Sequence, residues 1–185
     1  MEDISESNKS NISNNSEKSF YIEEIPLYMR GRAEWWELKH NELSIGDEIG
    51  RGSAGVVYKT LWRGLNAACK CTDKTATDIE RYDLLNELSI ISHLRHPNLV
   101  LFLGACTITN PVIILYEYVQ EGSLENYYHK HSKKKLWTPK KTLMHQWLLE
   151  LSQVIYFLHN CYYPVMHRDL KPENFTLGSG KKFWW

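Results

Sequence analysis

The sequence predicts an α+β fold, in which a sheet-forming first half is followed by a helical second half. Short β-branched and apolar stretches fill most of residues 43–119, with one helix-like segment among them. After residue 120 the apolar side chains recur every three or four positions, which is the period of a helix. A block of strands followed by a block of helices is typical of the α+β class.

The composition excludes several classes of protein. Lys plus Arg and Asp plus Glu both number 22, so the formal net charge is zero, whereas proteins that bind nucleic acids or membranes mainly through charge are strongly basic. The polar start lacks the apolar core of a signal peptide, and no apolar run approaches the roughly 18 residues that span a bilayer. The four Cys lack a second pair at metal-site spacing, which indicates reduced, unliganded thiols. We therefore expect a cytoplasmic protein with no nucleic-acid or membrane partner.

Two segments precede the predicted sheet. Residues 1–19 contain six Ser and four Asn and almost no apolar side chain, so they are predicted to be a disordered tail. Residues 20–42 include "FYIEEIPLYM" and "AEWWELKH", which carry enough apolar surface to pack but show no clean period. They are predicted to be an ordered lead-in to the sheet.

Five strands and one helix are predicted between residues 43 and 119. "LSIGDEIG" and "GVVYKTLW" form a hairpin around "RGSA", and "NAACKC" is the third strand. The helix covers "TDIERYDLLNELSIISHL", with Thr77 and Glu80 as a capping box and an apolar stripe that ends at Leu94. Pro97 then disfavours helical geometry at the residue before it. "NLVLFLGACT" and "PVIILYEYV" are the last two strands.

Two helices are predicted in residues 120–185. "GSLENYYHKH" is a short one, and the basic "SKKKL" after it is interpreted as a solvated loop. Thr138 as the N-cap and Pro139 at the first helical position begin a long helix that runs to about Asn160. The apolar stripe of this helix comprises Leu143, Trp147, Leu151, Val154 and Leu158.

A glycine-rich motif lies in the predicted hairpin. Gly50, Gly52, Gly55 and Val57 form the pattern G-x-G-x-x-G-x-V between two strands. A Rossmann loop would connect a strand to a helix, and a Walker loop would end in Gly-Lys-Ser/Thr. Glycines in a hairpin allow backbone N–H groups to lie over phosphates. A plain glycine-rich turn is the alternative if nothing else supports this interpretation.

Lys70 follows on the next strand, and Glu87 lies on the predicted helix. An ammonium group on a strand can be held by a carboxylate on a helix and directed at phosphate oxygens. The alternative is a surface Lys and a surface Glu, which would contribute little to stability.

A second polar motif, "HRDLKPEN", follows the long helix. Asp169 could accept a hydroxyl proton, Lys171 could offset charge on a phosphoryl group, and Asn174 could ligate Mg²⁺. The alternative is an ordinary polar loop, which the preceding glycine motif and Lys70 make a poor explanation.

Taken in order, these groups resemble the eukaryotic protein kinase family, from about Trp36 to Leu177. "LWRG", "HLRHPNLVLFLGAC" and "EYVQEGSL" look like the tyrosine-kinase-like group, which includes Raf and the mixed-lineage kinases. Lys171 two residues after Asp169 resembles the Ser/Thr-specific version of the loop. The resemblance implies a bilobal fold. Residues 43–119 would form an N-terminal lobe of a five-stranded antiparallel sheet and one helix, and residues 120–185 a partial helical C-terminal lobe.

The resemblance also implies a site for ATP. Asp169 would be the catalytic base, with Lys171 beside it, and Asn174 would be a metal ligand. Tyr116 would close the back of the nucleotide pocket, and Thr176 would lie under the adenine. The residues expected to bind ATP are Ile49, Gly50, Gly52, Gly55, Val57, Ala68, Lys70, Glu87, Glu117 and Val119, with Glu117 and Val119 acting through their backbone groups.

One departure from the family bears on activity. In kinases an Asp-Phe-Gly motif follows this loop, and its Asp is the principal Mg²⁺ ligand, but the sequence has no Asp after Asp169. We therefore expect a kinase chain truncated before that motif, doubtful Mg²⁺ binding and negligible phosphoryl transfer by this chain alone. A full-length version would act on a protein substrate. The alternatives are a pseudokinase-like module that docks a partner such as another kinase, or a non-functional fragment.

The same departure leads to an expectation about packing. Met144, Leu148 and Ile155 widen the apolar stripe of the long helix beyond one face. The helices that cover this face in the family are absent from the sequence, so the face is expected to be uncovered and the second lobe to be loose.

Overall fold

The computed structural model contains a five-stranded antiparallel sheet, in which the first three strands of the chain lie side by side and are followed across the sheet by the fifth strand and then the fourth. One helix separates the third strand from the fourth in the chain, and two further helices follow the sheet. The predicted α+β class and the five-stranded sheet are therefore confirmed. The described residues are 26–52, 55–72, 77–132, 138–177 and 182–183, so the predicted tail of residues 1–19 lies outside them.

The strands are β1 Leu43–Gly52, β2 Gly55–Trp62, β3 Leu65–Cys71, β4 Phe102–Cys106, β5 Ile113–Glu117, β6 Phe175–Thr176 and β7 Lys182–Phe183. The helices are α1 Leu27–Ala33, α2 Asp78–Ile91, α3 Leu124–Ser132 and α4 Lys141–His159, with short 3-10 turns at His40–Glu42 and Pro172–Asn174.

Strand β5 is buried on both faces. Successive residues of a strand point to opposite faces, and Ile114 and Tyr116 of β5 pack against α2, whereas Ile113 and Leu115 lie in the cluster on the other face. All four side chains are almost completely inaccessible to water. This burial explains why β5 reads as a continuous apolar run rather than an alternating one.

Helix α2 lies on the first of these faces through Leu84, Leu88 and Ile91, as its apolar stripe predicts. The helix ends at Ile91, three residues earlier than predicted. Leu94 therefore leaves the predicted stripe and packs beside the cluster around α4. In this way the end of α2 contacts both the sheet and the helical region that follows it.

The described part of the lead-in segment, residues 26–42, packs against β4 and α2. Trp36 is buried, and its ring meets that of Phe102 edge-on with centroids 6.0 Å apart. The Leu38 N–H donates to the Ala105 carbonyl at 2.7 Å, and the Ala105 N–H donates to the Trp36 carbonyl at 2.8 Å. The segment therefore forms a short parallel bridge along the outer edge of β4.

The cysteines in the sheet are free thiols, as predicted. Cys69 and Cys71 point to the same face of β3, with their sulfur atoms 3.9 Å apart, and both are buried. In the described ranges, no cluster of three or more His, Cys, Asp or Glu side chains could bind a metal ion.

Helix α4 begins two residues later than predicted. Its N-cap is Lys140, whose backbone is extended and whose side chain makes no capping hydrogen bond. The predicted Thr138 cap is therefore wrong, because the extended backbone of Lys140 keeps Thr138 out of the first helical turn. The predicted stripe is confirmed, since Trp147, Val154 and Leu158 are buried in one cluster with Phe175.

Much of the surface of α4 outside this cluster is open to water. Met144, Leu148, Leu149 and Tyr156 are exposed, whereas Ile155, which was expected to share an uncovered face with Met144 and Leu148, is half-buried. Of the helices in the described part of the chain, none combines the length and apolar character needed to cross a membrane.

Candidate functional site

A cleft of about 850 Å³ lies between the sheet and the loop after α4. Its volume is within the range of small-molecule sites in proteins. Six described parts of the chain contribute to it: the β1–β2 hairpin, β3, α2, the segment from β5 to α3, the "HRDLKPEN" loop and β6. Of the residues predicted to form the site, those that line this cleft are Ile49, Gly50, Gly52, Gly55, Val57, Ala68, Lys70, Glu87, Val119, Asp169, Lys171 and Asn174.

The glycine motif lies where β1 turns into β2, as predicted. Gly50 pairs with Val57 and Gly52 with Gly55 in the antiparallel register. Gly55 has a φ of 128°, and a Cβ atom there would collide with the Cys71 carbonyl of β3. A glycine is therefore required at this position to bring the hairpin close to β3, and both elements contribute to the cleft.

The Lys70 and Glu87 side chains form a close ion pair. The Lys70 Nζ atom donates to Glu87 Oε1 at 2.8 Å and to Oε2 at 2.7 Å. Lys70 is held between Val57 of β2 and Ile114 of β5 in the sheet register. The two side chains are only 11% and 17% exposed, which rules out the alternative of two independent surface charges.

The "HRDLKPEN" loop is organised around Asp169. The Lys171 Nζ atom lies 2.9 Å from Asp169 Oδ2, and the Asn174 amide donates to the same oxygen at 2.9 Å and to the Asp169 carbonyl at 2.8 Å. The hydrogen bond from Lys171 holds the pKa of Asp169 below its usual value, and Asp169 in turn raises the pKa of Lys171. Asp169 is therefore ionised at neutral pH and available as a hydrogen-bond acceptor.

Two further predicted residues differ in how they meet the cleft. Thr176 is buried and lines it, close to the bridge that its strand makes with Ser123. Tyr116 is 1% exposed and lies behind the cleft without lining it.

Glu117 is the predicted nucleotide residue that the structure does not bring into the cleft. Its carboxylate turns away and accepts a hydrogen bond from the Leu101 N–H at 2.6 Å. Its own N–H donates to the Leu101 carbonyl at 2.9 Å. The carboxylate and the N–H of Glu117 therefore both face Leu101, beside the start of β4, and not the cleft.

The described residues of the cleft offer few ligands for magnesium. Mg²⁺ prefers oxygen ligands in an octahedral arrangement, with carboxylates supplying the charge. Asn174 uses its amide nitrogen to hold Asp169, and the Asp169 oxygen that it contacts already accepts from Lys171. No group of three or more His, Cys, Asp or Glu side chains in the described residues could hold a metal ion, so Asp169 and Asn174 would contribute to a Mg²⁺ site without completing it.

Several lining residues were missed by the sequence reasoning. Glu125 and Asn126 belong to the first turn of α3, and the Asn126 N–H donates to Ser123 Oγ at 3.2 Å. The polar residues around the start of the helix that follows β5 were the available signal. The missed lining residues are Arg51, Tyr118, Gln120, Gly122, Ser123, Glu125, Asn126 and Glu173.

Comparison with known proteins agrees with this geometry. The family model described as "Protein kinase domain" matches residues 43–182. Human mitogen-activated protein kinase kinase kinase 7 is 35% identical over 145 residues, which cover 78% of this chain and 23% of that protein. The probable serine/threonine-protein kinase drkD of Dictyostelium discoideum is 35% identical over 75% of this chain and 11% of its own length.

A plant relative gives the same result. The serine/threonine-protein kinase CTR1 of Arabidopsis thaliana is 35% identical over 134 residues, or 72% of this chain and 16% of that protein. The chain thus spans less than a quarter of the length of each of these three relatives. These matches are consistent with the tyrosine-kinase-like group expected from the sequence. The relatives from Dictyostelium and Arabidopsis are named as serine/threonine kinases, and the family match over residues 43–182 shows that this chain belongs to the protein kinase family.

Proposed function

We propose that this chain supplies the ATP-binding part of a serine/threonine kinase that transfers the γ-phosphoryl group of ATP to a protein hydroxyl. The observation that supports the proposal is the convergence of three groups on one cleft: the glycine hairpin, the Lys70–Glu87 pair, and the loop that contains Asp169. A structural role for any one of these groups would not require the other two to face it.

Each group has a distinct part in the proposed site. The hairpin backbone covers the phosphates, because its glycines leave N–H groups unshielded by side chains. Lys70 is directed at the α- and β-phosphates and is held there by Glu87. The adenine lies between Val57 and Ala68 on one side and Thr176 on the other, with Glu117 and Val119 offering backbone groups at its edge.

The loop after α4 would act on the hydroxyl substrate. Asp169 is ionised and can accept the hydroxyl proton as attack begins. Lys171 lies 2.9 Å from Asp169, close enough to offset charge on the phosphoryl group as it transfers. The protein substrate would be recognised in a longer version of the chain.

We further propose that the 185-residue polypeptide binds nucleotide but transfers no phosphoryl group at a measurable rate. Phosphoryl transfer relies on metal ions to neutralise the developing charge. Asn174 and Asp169 do not complete such a site by themselves. A pseudokinase-like module is the alternative function, since it also would bind without turnover.

Nucleotide binding tests the first proposal. Lys70→Met should weaken ATP binding about tenfold, or ~1.4 kcal/mol, because it removes the phosphate-facing charge. Isothermal titration calorimetry would measure the dissociation constant. Lys141→Met is a matched control, since Lys141 is exposed at the start of α4 and does not line the cleft. Equal affinities of wild type and Lys70→Met for ATP would contradict the assignment.

Turnover tests the second proposal. Purified wild-type protein is incubated with labelled ATP, Mg²⁺ and a generic protein substrate, and incorporation is compared with that of Asp169→Asn. We expect no difference between them. Incorporation that depends on Asp169 would show that the chain is active alone and would exclude the binding-module alternative.

A further inference from the structure

Tyr116 lies behind the cleft, and its hydroxyl group contacts the Lys70–Glu87 ion pair. It lies on β5 between Ala68 of β3 and Phe102 of β4. Its side chain is on the face of the sheet that packs against α2. The phenol Oη atom donates to Glu87 Oε1 at 3.4 Å, and the Lys70 ammonium donates to the same oxygen at 2.8 Å.

The surroundings keep this phenol neutral. Burial raises the pKa of Tyr116 well above its usual value, and the nearby Glu87 carboxylate raises it further. The hydroxyl group therefore keeps its proton at neutral pH and can donate a hydrogen bond. A buried tyrosine hydroxyl normally needs a hydrogen-bond partner, and the Glu87 carboxylate is one such partner.

We infer that Tyr116 is a positioning residue for the Lys70–Glu87 pair. Its hydroxyl group restrains Glu87 from the sheet side, while Lys70 holds the same carboxylate from the cleft side. Glu87 comes from α2 and Lys70 from β3, so a third contact from β5 fixes the helix side chain relative to the sheet. Lys70 is thereby directed at the phosphates. The inference rests on the proposed function, because it assigns Tyr116 a role in the same site.

A comparison of ATP with adenosine distinguishes this positioning role of Tyr116 from a purely steric role. ATP uses both the adenine pocket and Lys70, whereas adenosine has no phosphate for Lys70 to contact. If Tyr116 acts through Glu87 and Lys70, loss of its hydroxyl group should weaken the binding of ATP and leave adenosine unaffected. If Tyr116 only shapes the pocket, the binding of both ligands should change together.

The test uses Tyr116→Phe, which keeps the ring and removes the hydroxyl group. Dissociation constants for ATP and for adenosine are measured by calorimetry on the full 185-residue chain. We expect ATP to bind about three- to tenfold more weakly, the loss of one modest hydrogen bond, and adenosine to change by less than about twofold. Tyr156→Phe is the matched control, because Tyr156 is exposed on α4 and does not line the cleft, and it should change neither constant.

A second background tests the route through Lys70. In Lys70→Met protein, Tyr116→Phe should have no further effect on ATP binding, because the group through which it acts is gone. Equal losses in both backgrounds would overturn the inference. So would unchanged ATP binding in the single variant, or a parallel loss of ATP and adenosine binding.

Urea unfolding provides a readout that needs no nucleotide. The unfolding midpoints of wild type, Tyr116→Phe, Glu87→Ala and the double variant are compared. Non-additive shifts support the Tyr116–Glu87 contact, and additive shifts overturn it. If wild-type protein binds neither ATP nor adenosine, the proposed function fails and the role of Tyr116 in it fails too. If wild type binds ATP and the variant behaves like wild type, only the inference fails.

Discussion

Lys70 in the sheet and Lys171 in the loop after α4 each hold a carboxylate at nearly the same distance, 2.7 Å to Glu87 and 2.9 Å to Asp169. The side chains of the first pair are 11% and 17% exposed, and those of the second are 46% and 60% exposed. Removing one partner of a buried pair strands a charge away from water, whereas an exposed partner is simply hydrated. Loss of a partner should therefore destabilise the fold at the Lys70–Glu87 pair. The Asp169–Lys171 pair, at the other end of the cleft, is open to solvent and accessible to a ligand.

The elements that carry these pairs differ in the same way. β5 in the sheet is buried on both faces, so the position of Lys70 on the neighbouring strand is fixed by packing. Helix α4 is packed through Trp147 and Val154 only on one face. The groups of the sheet that face the cleft therefore lie on well-packed strands. The loop that contains Asp169 instead follows a helix that is packed on one face only.

The largest expected effect sets a core residue of one region against a surface residue of the other. Leu88→Ala empties a fully buried position on α2 and should lower the free energy of unfolding by about 2–5 kcal/mol. Leu148→Ala, at a residue 61% exposed on α4, should change it by less than about 0.5 kcal/mol. Urea unfolding followed by circular dichroism would measure both. Equal destabilisation would mean that the outer face of α4 is covered in solution.

An intermediate effect comes from the two ion pairs. Glu87→Ala leaves Lys70 without its carboxylate in a mostly buried position and should cost about 2–3 kcal/mol of stability. Lys171→Met removes an exposed partner and should leave the urea midpoint unchanged, as the control. A shift of the midpoint in Lys171→Met as large as that in Glu87→Ala would remove the distinction between the two pairs.

The smallest expected effect is on the titration of Asp169. Its pKa is lowered chiefly by the hydrogen bond from Lys171, so Lys171→Met should raise that pKa toward its ordinary value. A carboxyl group with a lowered pKa stabilises the fold above its unfolded pKa and stops doing so as pH falls through its folded pKa. Any contribution from Asp169 is therefore present at neutral pH and lost only below about pH 4. Carbon-13 NMR of the labelled carboxyl group would follow the titration, with Lys141→Met as the unchanged control. An identical titration in Lys171→Met would show that the pair does not form in solution.

Motifs predicted the site better than periodicity predicted the element ends. Lys70, Glu87 and Asp169 were predicted from residue type, order and spacing, and the structure brings all three to one cleft. The start of α4 was placed at Pro139 from local capping preferences, but Lys140 is extended and the helix begins after it. Leu94 was assigned to α2 by its spacing, although its packing against the α4 cluster is a tertiary contact.

Contacts between residues far apart in the chain could not be predicted from local pattern. The sequence of the lead-in segment shows no clean period, and the backbone at Trp36 and Leu38 is held by Ala105, more than sixty residues later. The contact from Tyr116 to Glu87 joins residues 29 positions apart. In both cases the sequence contains suitable side chains, but only the folded sheet brings them to hydrogen-bond distance.

The bridge between the lead-in segment and β4 has a consequence for how the domain should be delimited. The family match begins at residue 43, whereas Trp36 and Leu38 lie before it and belong to the two clusters that cover the sheet. A polypeptide that began at residue 43 would expose the N–H of Ala105 and leave a cavity under α2 where the Trp36 side chain packs. An exposed strand edge beside an apolar cavity favours self-association. The folded unit should therefore be taken to start before residue 43, where the family match begins.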